Sequence, residues 1–324
     1  MSRLFEALSN LKTEQQARQV LPPPVQAAAA VFPLPVKPAE PKPEHHSLKV
    51  VPVAAGPLAL APTEPAQETG KRNEVASSPV AGSPALAAHP SPESRLVAWT
   101  DPLSLGAEKF RALATRFDHL RNQRELRSFQ VTSSVVDEGK TVVAGNLAVT
   151  LAKYSGCKTL LVEGDLHRPT LADLFGLAEL RGVQHWWTSG AQELNSFAYR
   201  LQGMPLWFLP AGMHCEQPSD LLRSERFKKA FRRLADQFEW VVVDSTPMLP
   251  IVDVNLWSRL LDGTLLVVRE GVAPVKALKR GLQALDHPKL IGVVVNEAAE
   301  TNQAGYAGQY YYGGSDGERT SKKK

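Results

Sequence analysis

The eight residues Ser134-Val-Val-Asp-Glu-Gly-Lys-Thr141 constrain this chain more than any other stretch. They come after a short apolar run, Ser128–Thr132, and open a segment from Lys140 to Lys153 with helical apolar spacing. A strand, a tight glycine-containing turn and a helix in that order present backbone N–H groups and a helix N-terminus at one point, the arrangement a phosphate group needs. A lysine there reaches the β- and γ-phosphates, and the next hydroxyl meets Mg²⁺. The pattern departs from the usual glycine-rich form in one place, since Ser134 stands where the first glycine belongs. The expected ligands are ATP and Mg²⁺, with Ser134, Asp137, Glu138, Gly139, Lys140, Thr141 and Val142 as the residues that line the nucleotide.

A loop of this kind sits on a parallel sheet, and the chain supplies one. Strands are expected at Thr159–Glu163, Leu206–Leu209, Trp240–Asp244, Thr264–Val268 and Ile291–Val295. The last three are nearly continuous apolar runs, as strands covered on both faces should be. Helices are expected at Ser219–Phe238, Val254–Leu261 and Val275–Leu285. A further helix is expected to start at Asp101–Pro102 and to carry Leu105, Phe110, Leu113, Phe117 and Leu120 on one side. The alternation predicts an α/β fold: a mostly parallel sheet flanked by helices on both faces.

Carboxylates stand where such a sheet binds ligands, at the C-terminal ends of its strands. Trp240-Val-Val-Val-Asp-Ser-Thr-Pro247 is an apolar strand ending in an acid, which places Asp244 beside the metal. Leu160-Leu-Val-Glu-Gly-Asp-Leu-His-Arg-Pro169 offers Glu163 and Asp165, though acids there serve equally to cap the next helix. Thr141, Asp165 and Asp244 form the expected metal set.

Outside this core the composition changes. Residues 1–18 read as a short amphipathic helix, with Leu4, Phe5, Leu8 and Leu11 at helical spacing. Residues 19–95 read as an unfolded linker, because 16 of the chain's 25 prolines fall between Leu21 and Ser94. Residues 96–299 carry the folded domain, and 300–324 a flexible tail rich in Gly, Tyr, Ser and Lys. The two cysteines, Cys157 and Cys215, are too far apart and too few for a disulfide scaffold or a zinc site. No apolar run approaches the roughly 20 residues that span a bilayer, and Arg3 and Glu6 interrupt any signal-peptide core. The expectation is a cytoplasmic protein with no nucleic-acid motif. The basic residues Arg223, Arg226, Lys228, Lys229, Arg232 and Arg233 read as a solvated helix face, or as a surface for an acidic partner.

A phosphate loop, an acidic motif on the next strand and then an apolar strand ending DxxP together resemble the bacterial tyrosine kinase (BY-kinase) family of capsular and exopolysaccharide biosynthesis, within the MinD/ParA-like P-loop ATPases. The similarity runs from about Asp101 to Val295. It includes Gln217-Pro-Ser-Asp-Leu-Leu-Arg-Ser224, similar to an NPxELLxS stretch, and the late strands Asp262–Arg269 and Gly292–Asn296. The resemblance implies an ATP-dependent protein-tyrosine autokinase in which Lys140 steadies the γ-phosphate, Asp244 and Asp165 organise Mg²⁺, and Glu163 or Asp165 accepts the phenol proton. It also implies that Asn296 touches adenine and that Tyr306, Tyr310, Tyr311 and Tyr312 are phosphoacceptors entering the site of a neighbouring copy. Glu108 and Arg111 match two of the three positions of a subunit-contact motif, with Ala114 where a second arginine belongs. The implied partner is a separate membrane adaptor, or polysaccharide chain-length protein, that activates the kinase at the inner face of the plasma membrane. Glu163 replaces the family's Asp, and Val-Val-Asp-Glu replaces its Pro-Gly-Glu. Two rival readings stay open: a catalytically weak nucleotide-binding scaffold of an export complex, and a MinD/ParA-type ATPase. Against the latter, Val135 stands where that group has a signature lysine.

Overall fold

The computed structural model describes residues 49–51 and 82–297, apart from 178–179, 192, 214, 250–251 and 286–288. The expected helix at 1–18 and the tyrosine tail at 300–324 lie outside the described residues. Among the described residues nine strands form one sheet: β1 (Lys49–Val51), β2 (Ala85–Leu86), β3 (Ser128–Ser133), β4 (Thr159–Glu163), β5 (Tyr199–Leu201), β6 (Leu206–Leu209), β7 (Trp240–Asp244), β8 (Gly263–Arg269) and β9 (Leu290–Asn296). Their order is β1-β9-β8-β3-β7-β4-β6-β5-β2. The six central strands from β9 to β6 run parallel; β1 adds antiparallel to β9 and β5 antiparallel to β6, and β2 pairs parallel with β5 at the far edge. Register aligns the strand ends: Val131 of β3 and Glu163 of β4 both lie opposite Asp244 of β7. The exits of three neighbouring strands therefore converge.

The helices are α1 (Val97–Thr100), α2 (Leu105–Gln123), α3 (Lys140–Lys153), α4 (Leu171–Leu174), α5 (Val183–Ser189), α6 (Pro218–Arg223), α7 (Glu225–Ala235), α8 (Asp253–Leu260) and α9 (Val275–Ala284). They cover both faces, and strand alternation explains how one apolar run serves two cores. Val242 of β7 packs with α2 and α3, while Val241 and Val243 on either side of it pack with α7 and α8. On the first face Phe117 meets Phe129 at 4.5 Å between ring centroids. On the second, the rings of Phe227, Phe231 and Trp257 lie within 5.8 Å of one another, with Trp257 edge-on to both phenylalanines. Helix α3, which carries the phosphate loop at its start, is buried from Val143 to Ala152, so the loop rests on a fixed support.

Three expectations change. Helix α2 starts at Leu105 rather than after Asp101, because the Ser104 hydroxyl caps it by accepting the Ala107 N–H at 3.2 Å; Asp101 instead ends α1. The expected helix Ser219–Phe238 is two helices. Ser224 between them is extended (φ −65°, ψ 136°), and its hydroxyl accepts the Phe227 N–H at 3.1 Å. The predicted stripe still holds, with Phe227, Phe231, Leu234 and Phe238 all buried. Finally, parts of the proline-rich stretch join the fold. Beyond β1, the segment from residue 82 supplies β2 on β5 and a bond from the His89 N–H to the Phe175 carbonyl at 3.1 Å, and ends in the fully buried Leu96. Strands of two or three residues are too short for a period to register in the sequence. No helix among the described residues is long and apolar enough to cross a membrane.

Candidate nucleotide and phosphoryl-transfer site

The turn between β3 and α3 has the shape its sequence predicts. Gly139 sits at φ 87°, and a Cβ there would collide with the Asn296 amide, so glycine is required twice over. Asp137 also adopts a left-handed conformation, φ 62°. The loop is held from inside by Glu138, which is fully buried. Its Oε2 accepts the Ser134 hydroxyl at 2.7 Å and the Val135 N–H at 2.9 Å, while Oε1 accepts the Arg269 N–H at 3.2 Å. The Asn296 amide donates to the Glu138 carbonyl at 3.0 Å. Ser134, Glu138 and Asn296, expected to line the nucleotide, thus tie the loop to itself and to the ends of β8 and β9. The Val142 carbonyl accepts from the Asn146 side chain at 2.9 Å, within α3.

At the start of α3 the Lys140 ammonium lies 3.0 Å from Asp165 Oδ2, 3.5 Å from Asp244 Oδ1 and 3.3 Å from the Thr141 hydroxyl. All of this is nearly enclosed: the lysine side chain is 13% exposed and the two carboxylates 7% and 1%. Burial pulls the Lys140 ammonium down, but the two carboxylates outweigh it and hold it above its ordinary value. Burial pushes Asp244 up, with Lys140 and the Thr141 hydroxyl opposing. The cluster brings together four expected site residues from the loop after β4, from β7 and from α3. Asp244 Oδ1 is buried without a hydrogen-bond donor. Together with the Thr141 hydroxyl and Asp165 it makes a hard-oxygen set of the kind Mg²⁺ takes, with phosphates and water as the remaining ligands. The residues present fit Mg²⁺ and a nucleotide.

Glu163 lies close by, but its carboxylate is committed. Oε1 accepts the N–H groups of Leu171 at 2.6 Å and Ala172 at 3.2 Å, and Oε2 accepts that of Ala211 at 3.0 Å. Burial pushes its pKa up, against those three bonds. It therefore joins β4 to α4 and to the turn after β6. A second link is one that sequence reasoning missed. His167, beside the acidic loop, meets the buried Asp253 at 2.9 Å, and Ser219 donates to the other oxygen of Asp253 at 2.7 Å. The only sequence signal for it was Ser219, within the Gln217–Ser224 stretch. Glu108 and Arg111 pair with each other on α2, and Arg111 also reaches the Pro102 carbonyl at 2.7 Å and the Tyr154 hydroxyl at 2.9 Å. Ala114 points into the core, 3% exposed. The tail tyrosines lie outside the described residues.

A phosphate loop on a parallel sheet, with a buried lysine between two strand-end carboxylates, defines a P-loop nucleotide-binding protein. No family model matches the chain. It is 28% identical to the tyrosine-protein kinase YwqD of Bacillus subtilis over 229 residues, 69% of this chain and 93% of YwqD. To the putative tyrosine-protein kinase CapB of Staphylococcus aureus it is 28% identical over 219 residues, 66% and 93% of the two chains. Among solved structures, the chimerical protein CapA2B2 matches with a TM-score of 0.58 and 26% identity, covering 66% of this chain and 94% of that one. The kinase domain of the Escherichia coli tyrosine kinase ETK matches at 0.56 and 27%, covering 62% and 78%. The chain is thus similar, over about two thirds of its length, to bacterial tyrosine-protein kinases.

Proposed function

We propose that this chain is an ATP-dependent protein-tyrosine autokinase that phosphorylates Tyr306, Tyr310, Tyr311 and Tyr312 of a neighbouring copy and so regulates capsular or exopolysaccharide synthesis and export. The observation that carries this reading is the Lys140 ammonium set between Asp165 and Asp244 at the mouth of the phosphate loop. Transfer from ATP to a phenol needs little covalent help from a protein; it needs positioning and neutralised charge. Lys140 supplies the positive charge against the γ-phosphate, and the loop N–H groups and α3 N-terminus hold the chain of phosphates. Thr141, Asp244 and Asp165 would hold Mg²⁺, which supplies further charge neutralisation when bound. The phenol O–H breaks as the new O–P bond forms, the bond to the β,γ-bridging oxygen breaks, and ADP leaves. The phenol proton goes to Asp165, which faces Lys140 and accepts one backbone N–H, from Arg168 at 3.0 Å, whereas Glu163 accepts three.

The family resemblance also motivates two partnerships: a homo-oligomer through the Glu108/Arg111 face, and a separate membrane adaptor that brings the kinase to the inner face of the plasma membrane. The buried Ala114 takes the place of the motif's second arginine, so the oligomer contact here rests on the exposed Glu108 and on Arg111. The test of the kinase reading is phosphotyrosine mapping by mass spectrometry after incubation with Mg·ATP and the adaptor's cytoplasmic segment. Phosphate on the four tail tyrosines that disappears in Lys140→Met is expected. Phosphate that persists in Lys140→Met would overturn the assignment of the loop.

A further inference from the structure

At the C-terminal ends of β4 and β6, beside the phosphate site, lies a cleft of about 630 Å³ that phosphoryl transfer itself does not use. That volume lies within the range of roughly 300–1,000 Å³ typical of ligand pockets. Glu163 forms part of its lining, and Glu163 is two residues from the Asp165 that pairs with Lys140. An occupant of the cleft therefore lies alongside the phosphate end of the site.

The walls are built before any ligand arrives. The Val183 and Gln184 N–H groups bond the carbonyls of Pro210 and Ala211, each at 2.9 Å, and Glu163 accepts the Ala211 N–H from the other side. A Cβ at Gly182 would strike the Pro210 carbonyl, and one at Gly212 would come within 2.7 Å of the His185 ring, so these segments touch through their glycines. The lining is mixed, and Pro169, Ala172, Leu177, Pro210 and Met213, the last 67% exposed, give it apolar walls. Asp173, Arg181 and His185 add polarity. The Nδ1 of His185 accepts the Gly182 N–H at 3.2 Å, which leaves Nε2 as the ring's proton-bearing nitrogen. A flat ring with a polar tip suits such a surface, since an aromatic body buries against apolar walls and a phenol oxygen accepts a donor.

We propose that this cleft seats the ring of one tyrosine of the Tyr310–Tyr312 run while its neighbour in the run is presented to the phosphate; this deepens the kinase reading and rests on it. In an extended peptide successive side chains point to opposite sides, so three consecutive tyrosines place an anchor next to an acceptor in either register. The tail carries no charged residue between Glu300 and Asp316, so it meets the cleft through its rings and not through ion pairs. Tyr310 is thirteen residues beyond Glu297, the last described residue. That length reaches about 44 Å when extended. Five strand spacings separate β9 from β6, or about 24 Å, so the tail is long enough to reach a cleft at that end of a sheet.

The test uses the full chain with its four tail tyrosines changed to alanine, so that its own tail does not compete, and a fluorescent peptide of residues 304–316. Fluorescence anisotropy should show binding that weakens at least about tenfold in Met213→Glu, an exposed change that leaves ATP-analogue affinity unaltered. A peptide with phenylalanine at 310 and 312 should bind nearly as well as the native one, and a peptide with alanine at 310–312 should not bind. Equal affinity for the alanine and phenylalanine peptides, indifference to Met213→Glu, or no peptide binding would each overturn the proposal. Peptide binding that depends on the cleft, with no phosphotyrosine formed under Mg·ATP and the adaptor segment, would instead overturn the kinase reading alone.

Discussion

Replacing Glu163 tests whether its carboxylate is a structural clamp. The group is buried, 2% exposed, and accepts three backbone N–H groups from two segments. A hydrogen bond to an ionised group contributes roughly 1.5–3 kcal/mol, so three give about 4.5–9 kcal/mol. Against this stands the cost of burying the charge, the cause of its raised pKa, which returns several kcal/mol when the group is removed. The net expectation for Glu163→Ala is a loss of about 3 kcal/mol. With a urea dependence of roughly 3 kcal/mol per molar, the unfolding midpoint falls by about 1 M. Glu163→Gln keeps the oxygen that serves Leu171 and Ala172 but sets an amide N–H₂ against the Ala211 N–H, and should lose about 2 kcal/mol. Chemical denaturation followed by tryptophan fluorescence measures both, since Trp186, Trp240 and Trp257 are buried reporters. If both variants unfold within about 0.5 kcal/mol of the parent, the three bonds contribute no net stability and the clamp argument is wrong.

Asp244 has a pKa raised above its ordinary 3.8, chiefly by burial, so the folded state binds its proton more tightly than the unfolded one. That contribution is fully present below about pH 3.8 and is lost as pH rises through the folded-state value, so the stability of the parent relative to Asp244→Asn should fall with rising pH across that window in urea titrations. Ser224→Ala removes the cap of α7 and should cost about 1 kcal/mol, read as a lower melting temperature with unchanged nucleotide affinity. Asp137→Gly relieves a left-handed residue and should stabilise the chain or leave it neutral, within about 1 kcal/mol; a clear loss in thermal unfolding would show that the side chain has a bonding role.

What the sequence reveals is what local pattern encodes. The bounds of α3 and of β4, β6 and β7 match expectation because apolar runs, a glycine and strand-end acids mark them. The Lys140–Asp165–Asp244 cluster was legible for the same reason: each residue sits at the end of an element whose end could be read. The break at Ser224 was not, since no proline or glycine marks it, and only the hydroxyl's bond to the Phe227 N–H marks a new start. Nor could the commitment of Glu163 be read, because one of its donors is Ala211, 48 residues away. The His167–Asp253 contact spans 86 residues and leaves no periodic trace.

The departures in the phosphate loop gain a common explanation from Glu138. Ser134 in place of glycine brings a hydroxyl into a buried turn, where an unpaired donor costs about 1–3 kcal/mol; the Glu138 carboxylate accepts it. Asp137 stands where the related loop has glycine, and its φ of 62° shows that the left-handed turn persists. Aspartate tolerates that conformation better than most residues, so the strain is modest. The backbone of the turn is also pinned from outside the loop, by the Arg269 N–H on the Glu138 side chain and by the Asn296 amide on its carbonyl. The geometry that a phosphate meets is thus set by bonds from β8, β9 and the turn itself rather than by the identity of Val135, Val136 or Asp137. Bulkier residues are accommodated where they face solvent, Val136 being 54% exposed.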